Sequence, residues 1–183
     1  TPKILEWGFA ASRAETYVFP EDEPQYTLSG ILQNGLTYCI RSLPKESGLV
    51  SIVGLVKAGS HFEGPYAGTG ISHFVEHMLF KGTKTRPPGE IEKEIKSLGG
   101  YINAHTTLDS TSYEITVPSG FVKNALLILN DMLFNSTLNE FEFEREKAVI
   151  LKEIHFRDDD PGQYLNRLTF ESAYLNHPYK FPV

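Results

Sequence analysis

One stretch constrains this chain more than any other: Gly70 to Thr83, G-I-S-H-F-V-E-H-M-L-F-K-G-T. Within it His73, Glu76 and His77 stand three and one residues apart, a spacing that on an α-helix turns all three side chains toward one side. The neighbouring Phe74, Val75, Met78, Leu79 and Phe80 are apolar, so the same letters also fit a packed core helix carrying incidental histidines.

Two imidazoles one turn apart can each offer a ring nitrogen to a single Zn2+ ion, which takes about three protein ligands in catalytic sites and keeps a further position for water. Glu76, lying between them, is then free to remove a proton from that water as it attacks a peptide carbonyl. The glutamate stands beside the second histidine instead of the first, which is the H-x-x-E-H order of the inverted zincins.

Bulk properties narrow the class. With 183 residues, 40% hydrophobic and 12% aromatic, the chain can bury one sizeable core and is expected to form a single domain. Its formal net charge is −6 and its basic residues form no stripe, which argues against nucleic acid as the main partner. The acids clumped at Glu21 to Glu23 and Asp158 to Asp160 read as solvated surface. Cys39 is the single cysteine; it cannot close an internal disulfide, and its alternating neighbourhood makes it a half-buried strand residue. The longest aliphatic run, Ala125 to Leu129, is far short of a membrane span. The first residues lack the basic-then-apolar pattern of a signal peptide, so the chain reads as mature or trimmed.

Taken in order, residues 1–24 read as an N-terminal arm with an acidic, Pro-flanked patch. Tyr26 to Leu28 and Leu36 to Arg41 flank Asn34-Gly35, a hairpin signal. Leu43 to Gly48 breaks the pattern, and Leu49 to Lys57, rich in Val, Ile and Leu, suits a central strand. His61 to Thr69 is a loop leading into the motif helix. Its Gly68-x-Gly70 is no phosphate loop, because the third glycine and the lysine such loops need are absent. Glu90 to Leu98 repeats Ile91, Ile95 and Leu98 at helical spacing and stops at Gly99-Gly100. Tyr101 to His105 and Ser112 to Val117 read as strands. Two helices follow. Ser119 caps the first, with Val122, Ala125, Leu126, Leu129, Met132 and Leu133 inward; the second runs from Glu140 to Phe156 behind a Thr137-x-x-Glu140 capping box. Tyr164 to Tyr174 suggests one more.

A third metal ligand has to come from another rigid element. On the Glu140 to Phe156 helix, Glu146, Val149, Ile150 and Glu153 fall at i, i+3, i+4 and i+7, so two carboxylates share a stripe with core aliphatics. Buried acids are costly unless paired or metal-bound, which sets Glu146 and Glu153 apart from Glu140, Glu142 and Glu144. His155 is rotated away from that stripe and reads as surface. His105 alternates with Asn103 on its strand and lies near a cleft. His61 and His177 sit in loops and carry no constellation.

The H-F-V-E-H run at His73 to His77, the M-L-F-K-G-T after it, N-A-H-T at Asn103 to Thr106 and R-E-K-A-V-I-L-K-E at Arg145 to Glu153 together resemble the pitrilysin/insulinase family, which includes the mitochondrial processing peptidases. The likeness runs over about Gln25 to Pro182. It implies an α/β (α+β) half-domain across residues 25–183, a mainly antiparallel mixed sheet with helices packed on one face. It implies a zinc endopeptidase for peptides or unfolded, extended segments, with one Zn2+ per chain held by His73, His77 and Glu153. Glu76 is then the general base, and Glu146 supports the site. An extended substrate is expected against the strand Tyr101 to Thr106, in contact with Asn103 and Ala104, although Asn103 is equally an ordinary strand-end residue. Family members are built from paired half-domains, so a second half-domain or partner subunit is expected to close the chamber. By that measure this sequence looks like a fragment, truncated at its C-terminal end, that binds zinc yet cleaves poorly alone. Two rivals stay open: a non-catalytic scaffold subunit of a two-chain peptidase, against which the intact motif counts, and a zinc-dependent hydrolase of a non-peptide substrate. Family style, and nothing in the residues, points to a bacterial protein outside the cytoplasm.

Overall fold

A computed structural model describes residues 11–18, 26–42, 48–181 and 183. The rest of the expected arm (1–10 and 19–24), its acidic patch and the break at 43–47 lie outside the described residues.

The chain forms two compact units, residues 1–47 and 48–183. The first holds a three-stranded antiparallel sheet in the order β1 (Ala11–Val18), β2 (Tyr26–Leu32), β3 (Thr37–Arg41). β2 and β3 join through Asn34-Gly35, where Gly35 takes φ 87° and Asn34 Oδ1 accepts from the Leu36 amide at 3.1 Å, a turn that favours these two residues. Cys39 on β3 is exposed, not half-buried, because no described helix of this unit covers the sheet.

The second unit is built on a three-stranded antiparallel sheet ordered β4 (Leu49–Val56), β6 (Thr111–Pro118), β5 (Tyr101–Thr106). Among the described residues, the segment expected as the central strand, Leu49 to Lys57, stands at one end of this three-stranded sheet, and β6 takes the middle. Register sets Ile52, Ile115 and Ile102 abreast, then Gly54, Tyr113 and Ala104, then Val56, Thr111 and Thr106. Side chains alternate across a strand, so these rows share one face. Onto it pack α2 (Glu90–Ser97) and α3 (Val122–Asn135), whose Ile91, Ile95, Ala125, Ile128, Leu129 and Met132 close a core with Tyr113, Ile115 and Val117. Leu79 and Phe80, at the end of α1 (Ile71–Leu79), lie against the same cluster. The opposite face leaves Leu49, Val53, Leu55 and Tyr101 exposed. Helices on one face of an antiparallel sheet is the architecture expected. Each fully buried isoleucine contributes about 1.5–3 kcal/mol. Gly54 admits the close approach of α3: a Cβ there would stand 3.2 Å from Leu133 Cδ1.

Helix ends differ from the expectation in three places. Ser119 opens a 3-10 turn and leaves α3 without a side-chain cap; the buried stripe then runs Ala125, Ile128, Leu129 and Met132, while Leu126, one position round, is exposed. α4 (Glu140–Asp159) is capped by Asn139, which accepts from the amides of Phe141 and Glu142. No Thr137 box forms there, because the Thr137 hydroxyl donates instead to the Gly82 carbonyl at 3.3 Å. α5 (Pro161–Ala173) starts before Tyr164: Asp160 accepts from the Gln163 amide at 2.8 Å, and Pro161 suits the first helical turn.

α1 is tied at both ends. Gly70 precedes it at φ 71° and brings no capping side chain. The stretch before α1, expected as a loop, winds into 3-10 turns over Ser60–Tyr66, and its buried Glu63 carboxylate accepts the Ser72 amide at 2.9 Å instead and places negative charge at the positive end of the helix dipole. Beyond α1, the buried Asp131 of α3 accepts from Thr83 Oγ1 (2.6 Å), Thr85 Oγ1 (2.8 Å), Arg86 Nη1 (2.6 Å) and Asn135 Nδ2 (2.9 Å). Arg86 also reaches Glu94 of α2 at 2.7 Å. The α1–α2 loop is thus fastened to both other helices.

Burial alone would raise the Asp131 pKa, but the hydrogen bonds from Thr83, Thr85, Arg86 and Asn135 outweigh it and hold the carboxyl far below its ordinary range. A lowered folded pKa stabilises above the unfolded pKa, and the contribution fades as pH falls through the folded one. Asp131→Asn should therefore cost about 2–4 kcal/mol at neutral pH. In urea unfolding, the gap from wild type should be complete above about pH 5 and narrow progressively below about pH 4.

Candidate metal centre

α1 and α4 bring the site residues together, with Phe74 and Phe143 stacked between them at a ring separation of 4.3 Å. Glu146 and Ile150 are buried on α4, Glu153 is half-buried and Val149 is exposed, so the inward stripe is narrower than its spacing suggested. His73 Nε2 and His77 Nε2 stand 3.2 Å apart. Glu153 Oε1 is 3.7 Å from the first, and its Oε2 is 3.5 Å from the second. Tetrahedral ligands at the usual zinc bond lengths stand roughly 3.3–3.4 Å from one another. Two imidazole nitrogens and a carboxylate at these separations fit a zinc ion in both type and spacing. Among the described residues, no other three His, Cys, Asp or Glu side chains come together in this way.

The surroundings orient the donors. His77 Nδ1 lies 2.9 Å from Glu146 Oε1, and Lys81 Nζ lies 2.7 Å from Oε2 of the same carboxylate. A proton on Nδ1, given to Glu146, leaves the Nε2 lone pair facing the other two donors. Burial alone would raise the Glu146 pKa; the bonds from Lys81 and His77 outweigh it and hold the carboxyl below its usual value. Burial is also the largest influence on His73, lowering its pKa against the opposing pull of Glu153, which favours the neutral imidazole that a metal requires. Glu153 is steadied from below by Arg157, whose Nη2 donates to Oε1 at 2.7 Å.

Glu76 is buried one residue before His77, and Thr106 Oγ1 donates to its Oε2 at 2.5 Å. Beyond Thr106, among the described residues, β5 has a strand partner on one side only. The two residues expected to contact substrate there point to opposite faces: Asn103 is exposed, while Ala104 packs against the core. His105 shares the outer face, and His155 is exposed on α4. His61 and His177 do form a constellation: their rings are 5.1 Å apart, and Tyr179 stands against both and donates to Asp109 at 2.7 Å. Lys81, Arg157 and Thr106 were not singled out in the sequence. The first two lie one turn beyond His77 and Glu153, a spacing that could have flagged them.

Residues 41–183 match the family model described as Insulinase (Peptidase family M16). The chain belongs to this family. A relative in Rickettsia bellii, "Uncharacterized zinc protease", is 38% identical over 152 residues, covering 83% of this chain and 36% of that protein. The beta subunit of the mitochondrial-processing peptidase of Bos taurus is 43% identical over 147 residues, covering 79% and 29%. A solved structure described as a protease from Helicobacter pylori superposes with a TM-score of 0.78 at 33% identity, covering 85% of this chain and 37% of that one. The chain thus spans about a third of the length of these insulinase-family relatives. Among the described residues, no helix is long and apolar enough to cross a membrane.

By elemental analysis, wild type should carry about one zinc per chain and His73→Ala/His77→Ala none. Glu146→Gln should keep the ion but lower its affinity about 10–100-fold in chelator competition, since it removes the charge that orients His77.

Proposed function

We propose that this chain is the zinc-bearing half of an endopeptidase acting on peptides and on unfolded, extended segments. The observation that carries the reading is three donor atoms at zinc spacing with a buried carboxylate, Glu76, on the same helix between the two histidines. His73 and His77 through Nε2 and Glu153 through its carboxylate would hold the ion. Bound zinc would supply a Lewis acid for the scissile carbonyl and would acidify a water. Glu76 takes the proton of the attacking water and returns it to the leaving amine. Glu146 and Lys81 keep His77 in the tautomer that ligates.

The unpaired side of β5 receives the substrate as an added strand. Main-chain hydrogen bonds then give affinity with limited sequence preference. Asn103 contributes its side chain on the outer face, and Ala104, turned inward, contributes its backbone. A second half-domain or partner subunit closes over the cleft; one relative is itself named as a subunit.

Glu76→Gln in the full-length protein should cut hydrolysis of an internally quenched peptide by about 10²–10⁴-fold and leave zinc per chain unchanged. Undiminished turnover would overturn the general-base role. A zinc-loaded wild type without activity in any pairing would favour the scaffold reading.

A further inference from the structure

We propose that Thr106 is the positioning residue for the general base: its hydroxyl holds one oxygen of the Glu76 carboxylate, so that the other is presented to the attacking water. The inference rests on the reading of Glu76 as that base. Thr106 is the last residue of β5, only 4% exposed, on the sheet face that carries the core. Its Oγ1 donates to Glu76 Oε2, a hydroxyl-to-carboxylate bond. Among the described residues, no other group donates to this carboxylate.

The proton of Thr106 has a defined direction. Its register partner Thr111, also buried, stands 3.3 Å away through Oγ1 and donates to the Ala58 carbonyl at 2.9 Å. Thr111 thereby spends its only proton on the backbone and offers Thr106 oxygen alone. Of the two acceptors near Thr106, the carboxylate is the stronger and the closer. A glutamate side chain has three rotatable bonds, and a base displaced by about 1 Å can lose on the order of 10²-fold in rate. A hydroxyl on a paired strand, backed by a second hydroxyl bonded to the main chain, removes that freedom.

A threonine that merely satisfied a buried acid would be equally short of partners if lost, so the test separates the two roles. Thr106→Val keeps shape and removes the donor; Thr106→Ser keeps the donor. In the full-length protein, Thr106→Val should lower kcat about 10–100-fold, with KM within about twofold and zinc per chain unchanged, and Thr106→Ser should recover most of the loss. In thermal unfolding of the zinc-free protein, Thr106→Val should lower the midpoint by a few degrees in the wild-type background and by much less in Glu76→Ala, because the loss belongs to the pair. Wild-type kcat in Thr106→Val would overturn the proposal. So would a kcat loss that serine does not restore, or one accompanied by zinc loss. If Glu76→Gln is inactive while Thr106→Val is fully active, this proposal fails and the general base stands. If Glu76→Gln is fully active, the base reading fails and takes this one with it.

Discussion

The need to balance charge taken out of water organises the region around α1. Glu76, Glu146 and Glu153 gather around His73 and His77, and among the described residues only Lys81 and Arg157 stand among them as fixed cations. Three carboxylates against two cations leave a formal excess of one negative charge when both imidazoles are neutral. Protonating a histidine would compensate, but burial works against that at His73. A divalent cation compensates without it and uses the lone pairs that face inward. The nitrogens and oxygens stand at separations that fit a common metal partner.

Such a cluster needs a rigid frame, since donor spacing has to hold to within about 0.5 Å. Each end of α1 is fixed by a buried acid from elsewhere in the chain. Glu63 takes the Ser72 amide of the helix's first turn, and Asp131 gathers the loop that follows. Its flank is fixed by the Phe74–Phe143 stack and by Glu146. Neither acid touches the candidate ligands, yet both decide where His73 and His77 point. Removing one partner of a satisfied buried group costs more than making the bond contributes, so these contacts enforce one geometry as much as they stabilise it.

Much of this was legible because it is periodic. The H-x-x-E-H spacing, the Ile91/Ile95 repeat, the Glu146/Glu153 stripe and the Asn34-Gly35 turn are local patterns, and local patterns survive in a linear string. The errors fall where a distant contact overrode a local one. Thr137 looks like a cap, but the Gly82 carbonyl takes its hydroxyl and Asn139 is better placed. Leu126 fits the helical repeat, but the sheet selects the face one position away. The bonds of Glu63 to Ser72 and of Asp131 to Thr83, Thr85 and Arg86 carry no local signature, because they span nine and 45 to 48 residues; Asn135, four residues on from Asp131, is its one local partner. Thr106 was half-visible. Alternation from Ile102 and Ala104 puts it on the inner face, but nothing in the letters says that the neighbour it meets there is Glu76.

On the reading proposed above, that meeting gives β5 two functions on one element. Its side left unpaired among the described residues would take an extended peptide as an added strand, and its last inward side chain would hold the carboxylate that acts on the attacking water. Strand pairing would set the height of a substrate peptide bond along β5 to within the hydrogen-bond repeat, and the Thr106–Glu76 bond would set the height of the proposed base against the same strand. The scissile bond and the base would therefore be referenced to one ladder, itself locked to β6 from Tyr101 to Thr106. A frame shared in this way needs no side-chain recognition of the substrate to place the reacting atoms, which is how a peptidase can accept many sequences and still cut them at a fixed distance from its metal.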